Sequence, residues 1–447
     1  MNTRTDTSET QVTPRAGPAL SPAFISPDDA AVYAHDLIGS RRDEEYGGFI
    51  LSKDHYHYAT LPVSSEGSLF RPSDVLARSP SGDMVPPEGY VIEGLYHSHT
   101  EVQRARVASD PENDLHENFF SLMDLRTAIA FRHNYARFYL SNPDKSLICY
   151  MASGSPTEQA LEPLLMLVHP GTPGHLEQSD TSGIFLPSHL LTLVYGAGAL
   201  SVILAGSFWL RRGTITTGWR EWQTAFVWEA SVPPLCGPVF LSADDAALFA
   251  HEQIRQRPYV QQAGFIVQHV QTHSFICTRP QSTVYETFDR PDVFPRNSAG
   301  LPQLPEGFRM FAVYHSADVH RLAVPAAESR VLNDFMSPDN VWVDFLMMQA
   351  TPETHAYFSA PEGALLSYRQ VSLGAGVEAE LVASVAHPNQ PTSELARQLT
   401  GGRLTAKTFV RRVASAFLLN VVKVDEVWTQ TGRVTDSWEP FASVPAP

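Results

Sequence analysis

This 447-residue chain carries one pattern twice. FISPDDAAVYAHDLI (Phe24 to Ile38) returns as FLSADDAALFAHEQI (Phe240 to Ile254), and GGFIL (Gly47 to Leu51) returns as AGFIV (Ala263 to Val267) at the same offset. PEGYVIEGLYHSH (Pro87 to His99) returns as PEGFRMFAVYHSA (Pro305 to Ala317), and FFSLMD (Phe119 to Asp124) as FMSPDN (Phe335 to Asn340). WEASVP (Trp228 to Pro233) stands against WEPFASVP (Trp438 to Pro445). Five matches in one order amount to a duplication. Each copy must therefore bury a core of its own within about half the chain.

Each copy opens on a helix started by a capping side chain, Ser26 or Asp28 in the first, whose apolar positions recur at helical spacing. Segments with strand character follow, namely GGFILS, HYHYATLPV and GYVIEGLYHSH, separated by Pro, Gly and Ser turns. A helix is expected around Ser121 to Phe131, then strands at ARFYLSN and SLICYMA. Helices with a mixed sheet predict an α+β fold of the α/β sandwich kind, present in duplicate. The division expected is a disordered leader over 1–19 and a first copy over 20–152. A linker with a helical and strand extension then spans 153–235, the second copy 236–370, and its own extension 371–447. Ser153 to Ser182, rich in Pro, Gly, Ser and Glu, reads as loop or linker.

A net charge of -16 argues against nucleic acid or an anionic membrane as partner, because either would require a basic face. The three cysteines, Cys149, Cys236 and Cys277, are odd in number and far apart, which fits a reducing, cytoplasmic setting. No secretory apolar run opens the chain. His189 to Leu210 is long enough to span a bilayer, and Arg211 and Arg212 follow it. Its counterpart over Ser393 to Val422 holds Arg397, Arg403, Lys407, Arg411 and Arg412, which a membrane would reject. The expectation is a buried helical pair broken at Gly196 and Gly198, matching Gly401 and Gly402.

Four features bear on chemistry. His97 and His99 end a strand, where alternate residues share a face and two imidazoles can reach one ion. Such a pair alone is more often incidental, and His55 with His57 reads as a half-exposed strand face. Ser121 and Asp124 fit the first turn of a helix, as an ordinary cap or as a rigid mount for a carboxylate ligand. Glu45 enters an apolar strand beside Gly47 and Gly48, which permit close backbone approach, and could serve as general base. The second copy is an internal control. It has Gln261 for Glu45, Ala317 for His99 and Asn340 for Asp124, yet keeps His315 for His97 and Ser337 for Ser121. Near-isosteric losses of charge on a retained scaffold are what a copy relieved of metal chemistry would show.

Glu45 with Gly48, HSH at His97 to His99, and SxxD at Ser121 to Asp124 together resemble the JAB/MPN/JAMM metalloprotease signature. EYGG…YHSH…FSxxD is more closely similar to a bacterial family of uncharacterised domains found at the ends of Rhs-type polymorphic toxins. The resemblance covers Phe24 to Met151, and Phe240 to about Arg369 in degenerate form. It implies a JAB-like mixed sheet flanked by helices, with one zinc ion per chain held by His97, His99 and Asp124. It also implies Glu45 as general base, Ser121 as donor to the water or oxyanion, and a peptide or isopeptide as substrate. The sequence departs from the signature in carrying Thr100 where a proline is usual. Glu101 to Asn118 also lengthen the path to SxxD, and could form a loop over the site. The function expected is zinc-dependent amide hydrolysis with a supporting second copy packed on the first. A non-catalytic binding scaffold and a toxin-associated effector component are the alternatives.

Overall fold

The computed structural model describes residues 17–64, 70–100, 109–166, 172–181, 184–216, 219–222, 232–257, 260–283, 288, 290–316, 324, 326–349, 355–370, 376–386 and 392–442. The chain divides into two compact units, Met1–Val227 and Trp228–Pro447. In the first, a mixed eight-stranded sheet runs in the order Gly213–Thr214, Ala199–Leu204, Leu147–Met151, Arg137–Ser141, Val91–Ser98, Tyr46–Lys53, Tyr56–Ala59, with Val63–Ser64 off this path beside Tyr46–Lys53. Val91–Ser98 and Arg137–Ser141 are parallel, whereas the other neighbours are antiparallel. A parallel pair needs a long crossover. Here the crossover carries the helices Asp110–Glu117 and Leu122–Phe131.

The second unit has the same order: Gly432–Arg433, Asn420–Lys423, Leu365–Arg369, His355–Ser359, Phe308–Ser316, Gln262–His269, Phe275–Cys277. Its parallel pair is again the central one, Phe308–Ser316 with His355–Ser359.

The repeated residues make repeated contacts. On the opening helices Pro27–Ile38 and Ala243–Arg255, His35 Nδ1 lies 2.7 Å from Ser141 Oγ and His251 Nδ1 lies 2.8 Å from Ser359 Oγ. The Tyr139 hydroxyl donates to Asp28 at 2.7 Å, and the Tyr357 hydroxyl to Asp244 at 2.7 Å. Each pair fastens the helix to the second strand of the parallel pair. Buried Glu112 accepts the N–H of Ser188, and Glu328 that of Ala406, so each caps a later helix of its own unit.

Two stretches differ from the sequence reading. Ser153 to Ser182 holds the helices Pro156–Leu165 and His175–Thr181. Its polar residues are caps: Ser155 accepts the Glu158 N–H, and the buried Glu158 carboxylate accepts the Tyr150 hydroxyl and the Ser153 N–H. His189 to Leu210 is a helix, Pro187–Ala197, followed by a strand, Ala199–Leu204, rather than two helices. Gly198 makes the change of direction possible, because a Cβ there would lie 2.6 Å from the Tyr150 ring. The counterparts are Ala406–Ala416 and Asn420–Lys423, so Gly401 and Gly402 precede the equivalent helix instead of matching Gly196 and Gly198. Among the described residues, no helix is long and apolar enough to cross a membrane. The N-terminal leader up to residue 16, most of WEASVP and the end of WEPFASVP lie outside the described residues.

One repeated corner is chemically unequal. The carbonyl of Asn118 accepts the Trp209 indole N–H at 2.8 Å, and that of Asp334 accepts the Trp428 indole N–H at 3.1 Å. Asn118 also accepts the Asp144 N–H through its side-chain amide, while the Asp144 carboxylate accepts the N–H groups of Ser146, Phe208 and Trp209, so this corner holds one carboxylate. Asp334 instead accepts the Glu362 N–H and faces Asp425, whose carboxylate takes the N–H groups of Ala364, Val427 and Trp428. Burial, then the Asp425 carboxylate, push Asp334 up to about 9. The unfolded chain loses that proton near pH ~4, whereas the folded unit keeps it to about 9. Stability of the second unit is therefore greatest below the unfolded value and declines as pH rises through the folded one. We expect Asp334→Asn, which installs the first unit's residue, to stabilise the second unit by about 1–3 kcal/mol at pH 8. It should also flatten the pH profile between 4 and 9, read by calorimetric melting across that range. An unchanged slope contradicts the assignment.

Candidate metal centre

The first part of the site is the end of a strand. Gly47 pairs with His97 in the antiparallel register of Tyr46–Lys53 and Val91–Ser98, and Glu45 stands two residues before Gly47 as His99 stands two after His97. Opposed residues share a face, as do alternate residues along a strand, so Glu45, His97 and His99 belong to one side of the sheet. Ser98 points the other way, is fully buried, and accepts the Tyr46 N–H at 2.9 Å. The His99 N–H continues the pairing by donating to the Ser141 carbonyl at 3.3 Å.

The second part is the start of the helix Leu122–Phe131. Ser121 caps it, its Oγ accepting the Asp124 N–H at 3.2 Å, while Asp124 Oδ2 accepts the Ser121 N–H at 2.7 Å. This reciprocal capping box satisfies two N–H groups that a helix start leaves open. The same carboxylate faces both imidazoles, with Oδ2 3.1 Å from His99 Nε2 and Oδ1 3.2 Å from His97 Nε2. One donor atom from each of the three residues lies within 4.8 Å of the others, so the group could hold a metal ion. Burial opposes charge at both partners. The Asp124 carboxylate, then Glu45, outweighs it and raises His97, while His97 and His99 hold Asp124 well below the usual carboxylate range.

Glu45 joins these residues on the wall of one cavity of about 600 Å³, as does Ser121. Its Oε2 accepts the Phe70 N–H at 3.0 Å. A Cβ at Gly47 would lie 2.5 Å from the Phe70 ring, and one at Gly48 2.3 Å from Thr60 Oγ1. The glycines therefore admit side chains, where the sequence suggested backbone.

The second unit keeps the frame and fills the site. Ser337 and Asn340 preserve the cap, with the Asn340 N–H donating to Ser337 Oγ at 3.0 Å and the Ser337 N–H to Asn340 Oδ1 at 3.4 Å. Neither carries charge. His315 turns to Asp344 instead, Nε2 to Oδ2 at 3.1 Å, with both side chains 0% exposed. Asp344 lies one helical turn beyond Asn340, where the first unit has buried Ala128. Sequence reasoning missed this residue, although a lone carboxylate within VWVDFLMM was its signal. A small void of about 10 Å³ lies between this sheet and the helix Pro338–Gln349, lined by Met310, Val313, Met347 and Met348 rather than by His315 or Asn340. Gln261 is half-buried, and its carbonyl accepts the Thr283 N–H. Ala317 lies outside the described residues.

The other candidates fall elsewhere. His55 sits in a turn at φ 69°, not on a strand face, and His57 pairs with Glu93 at 2.9 Å. Of Glu101 to Asn118, residues 101–108 are outside the described residues, while Asp110–Glu117 is a helix with a counterpart, Ala326–Asn333, in the second unit. The chain matches no protein-family model, no curated protein sequence and no solved structure.

Because Asn340 shows that an amide can close the same cap, Asp124→Asn should leave the metal-free first unit more stable than Asp124→Ala. The difference expected is about 1 kcal/mol, measured by urea unfolding in chelator. Equal stability of the two variants would mean that the cap contributes nothing.

Proposed function

We propose that the first unit is a zinc-dependent amide hydrolase, a peptidase or isopeptidase of the JAB/MPN/JAMM kind, and that the second unit is its non-catalytic support. The observation that carries this reading is the convergence of His97, His99 and Asp124 at the wall of a cavity that Glu45 also lines. Two imidazoles and a carboxylate are a donor set that zinc takes in open, catalytic sites. His97 Nε2 supports the fit, being buried with no hydrogen bond of its own despite the nearby carboxylate. A zinc ion bound there would supply an acidified water and polarise the scissile carbonyl.

The chain's own groups do the rest. Glu45 is oriented through Oε2 by the Phe70 N–H, which leaves Oε1 to take the proton of the attacking water and return it to the leaving amine nitrogen. Ser121 Oγ accepts from the Asp124 N–H, so its hydroxyl proton is available to the developing oxyanion. The mainly apolar walls lower the polarity around the proton transfer.

The test pairs elemental analysis with hydrolysis of a peptide and isopeptide library. One equivalent of zinc is expected, lost in His99→Ala. Glu45→Gln, the residue that Gln261 already represents, should keep the metal and reduce turnover by about 10²–10⁴-fold. Absence of zinc from the intact chain overturns the metal reading. Zinc with no turnover on any member of the library overturns the hydrolase.

A further inference from the structure

The cavity beside the three donors is far larger than a metal and a water require. Apart from the donor set its walls are largely aromatic and aliphatic, with Phe70, Phe120, Phe131 and Phe138 among them. About 600 Å³ is the size of a small-molecule site and seats a bulky apolar side chain with room for its backbone.

The walls also carry polar groups outside the donor set, Arg71, His116 and Glu117 among them, and two of these groups, Tyr135 and Arg78, bear on recognition. Tyr135 is 95% buried by its 5% residual exposure, packed on the Phe131, Phe138 and Phe49 rings, and its hydroxyl takes no hydrogen bond among the described residues. Burial pushes that hydroxyl up to about 12, against the pull of Arg78, so at neutral pH it is a donor. Arg78 stands on the small ribbon Ala77–Arg78 and Met84–Val85, exposed and without an ion-pair partner among the described residues. The ribbon is tied to the turn before Tyr135, where Asn134 Nδ2 donates to Asp83 Oδ1 at 3.1 Å. A tyrosine hydroxyl and a guanidinium on one cavity wall, neither with an acceptor among the described residues, make a receptor for a carboxylate.

We propose that the cavity is a specificity pocket for a bulky apolar residue at the carboxyl terminus of the substrate, with Arg78 and Tyr135 receiving its free carboxylate. The assignment rests on the hydrolase reading and would make the first unit a carboxypeptidase-type enzyme, releasing an aromatic or branched aliphatic amino acid. A lysine or aspartate in the same place would carry its charge into mainly aromatic and aliphatic walls.

Binding tests the pocket without turnover. The full chain carrying Glu45→Gln is titrated in chelator, because a carboxylate is itself a metal ligand. The probes are N-acetylphenylalanine, N-acetylphenylalanine amide and N-acetyllysine. The acid should bind about tenfold or more tightly than the amide, and N-acetyllysine should bind more weakly than either. Arg78→Gln and Tyr135→Phe should each narrow the gap between acid and amide while leaving amide binding in place. Arg78, on an exposed ribbon, is the variant that keeps the test valid if Tyr135→Phe disturbs the core. Equal binding of acid and amide, a gap that survives Arg78→Gln, or no binding at millimolar probe overturns the proposal. Loss of turnover on every peptide, with this binding pattern intact, would count against the hydrolase alone.

Discussion

The arrangement of the first unit turns on one carboxylate that serves two masters. Asp124 closes the start of its helix by accepting the Ser121 N–H at Oδ2, and the same carboxylate faces His99 through Oδ2 and His97 through Oδ1. A cap fixes a side chain far better than an exposed rotamer would, because the helix start supplies N–H groups that need an acceptor. Local helix chemistry thereby sets a charge beside both imidazoles. The strand contributes the matching half. His97 and His99 share a face because Ser98 turns inward to hold Tyr46. The site sits where a crossover leaves the carboxyl end of a central strand, a place where sheets of this kind leave room for a ligand.

The second unit shows how little of this frame depends on the His-His-Asp group. Its sheet order, its opening helix contacts and its capped crossover helix are those of the first. Only the charges have moved. Asp344 approaches His315 from one turn further along, and the two form a fully buried pair. Such a pair compensates its own desolvation only when the geometry is good. Here it gives His315 a buried acceptor. A similar exchange occurs at the tryptophan corner, where Asn118 and Asp144 give way to Asp334 and Asp425. Duplicate frames thus drift by swapping one satisfied polar set for another.

Much of this was legible beforehand because it rests on local rules. The repeat announced two cores, HxH on a strand announced a shared face, and SxxD announced a capped helix start. What escaped reading depends on partners distant in sequence. Ser153 to Ser182 looked like linker because its polar residues are caps and a buried glutamate, which composition cannot distinguish from solvated loop. The apolar run from His189 split into helix and strand because Leu147–Met151 offered a free edge. Asp344 has meaning only once His315 is seen one layer away. Glu45 could be suspected from its carboxylate before an apolar strand, but its place on the cavity wall follows from the pairing of Gly47 with His97, which no local pattern states.

The central claim is a cation gripped by three side chains of the first unit and by none of the second. Anomalous diffraction from crystals of the full chain, collected on either side of the zinc absorption edge, addresses it directly. The account predicts a single strong peak between His97, His99 and Asp124, present above the edge, absent below it, and with no counterpart beside His315. A peak elsewhere, or none after soaking with zinc, contradicts it.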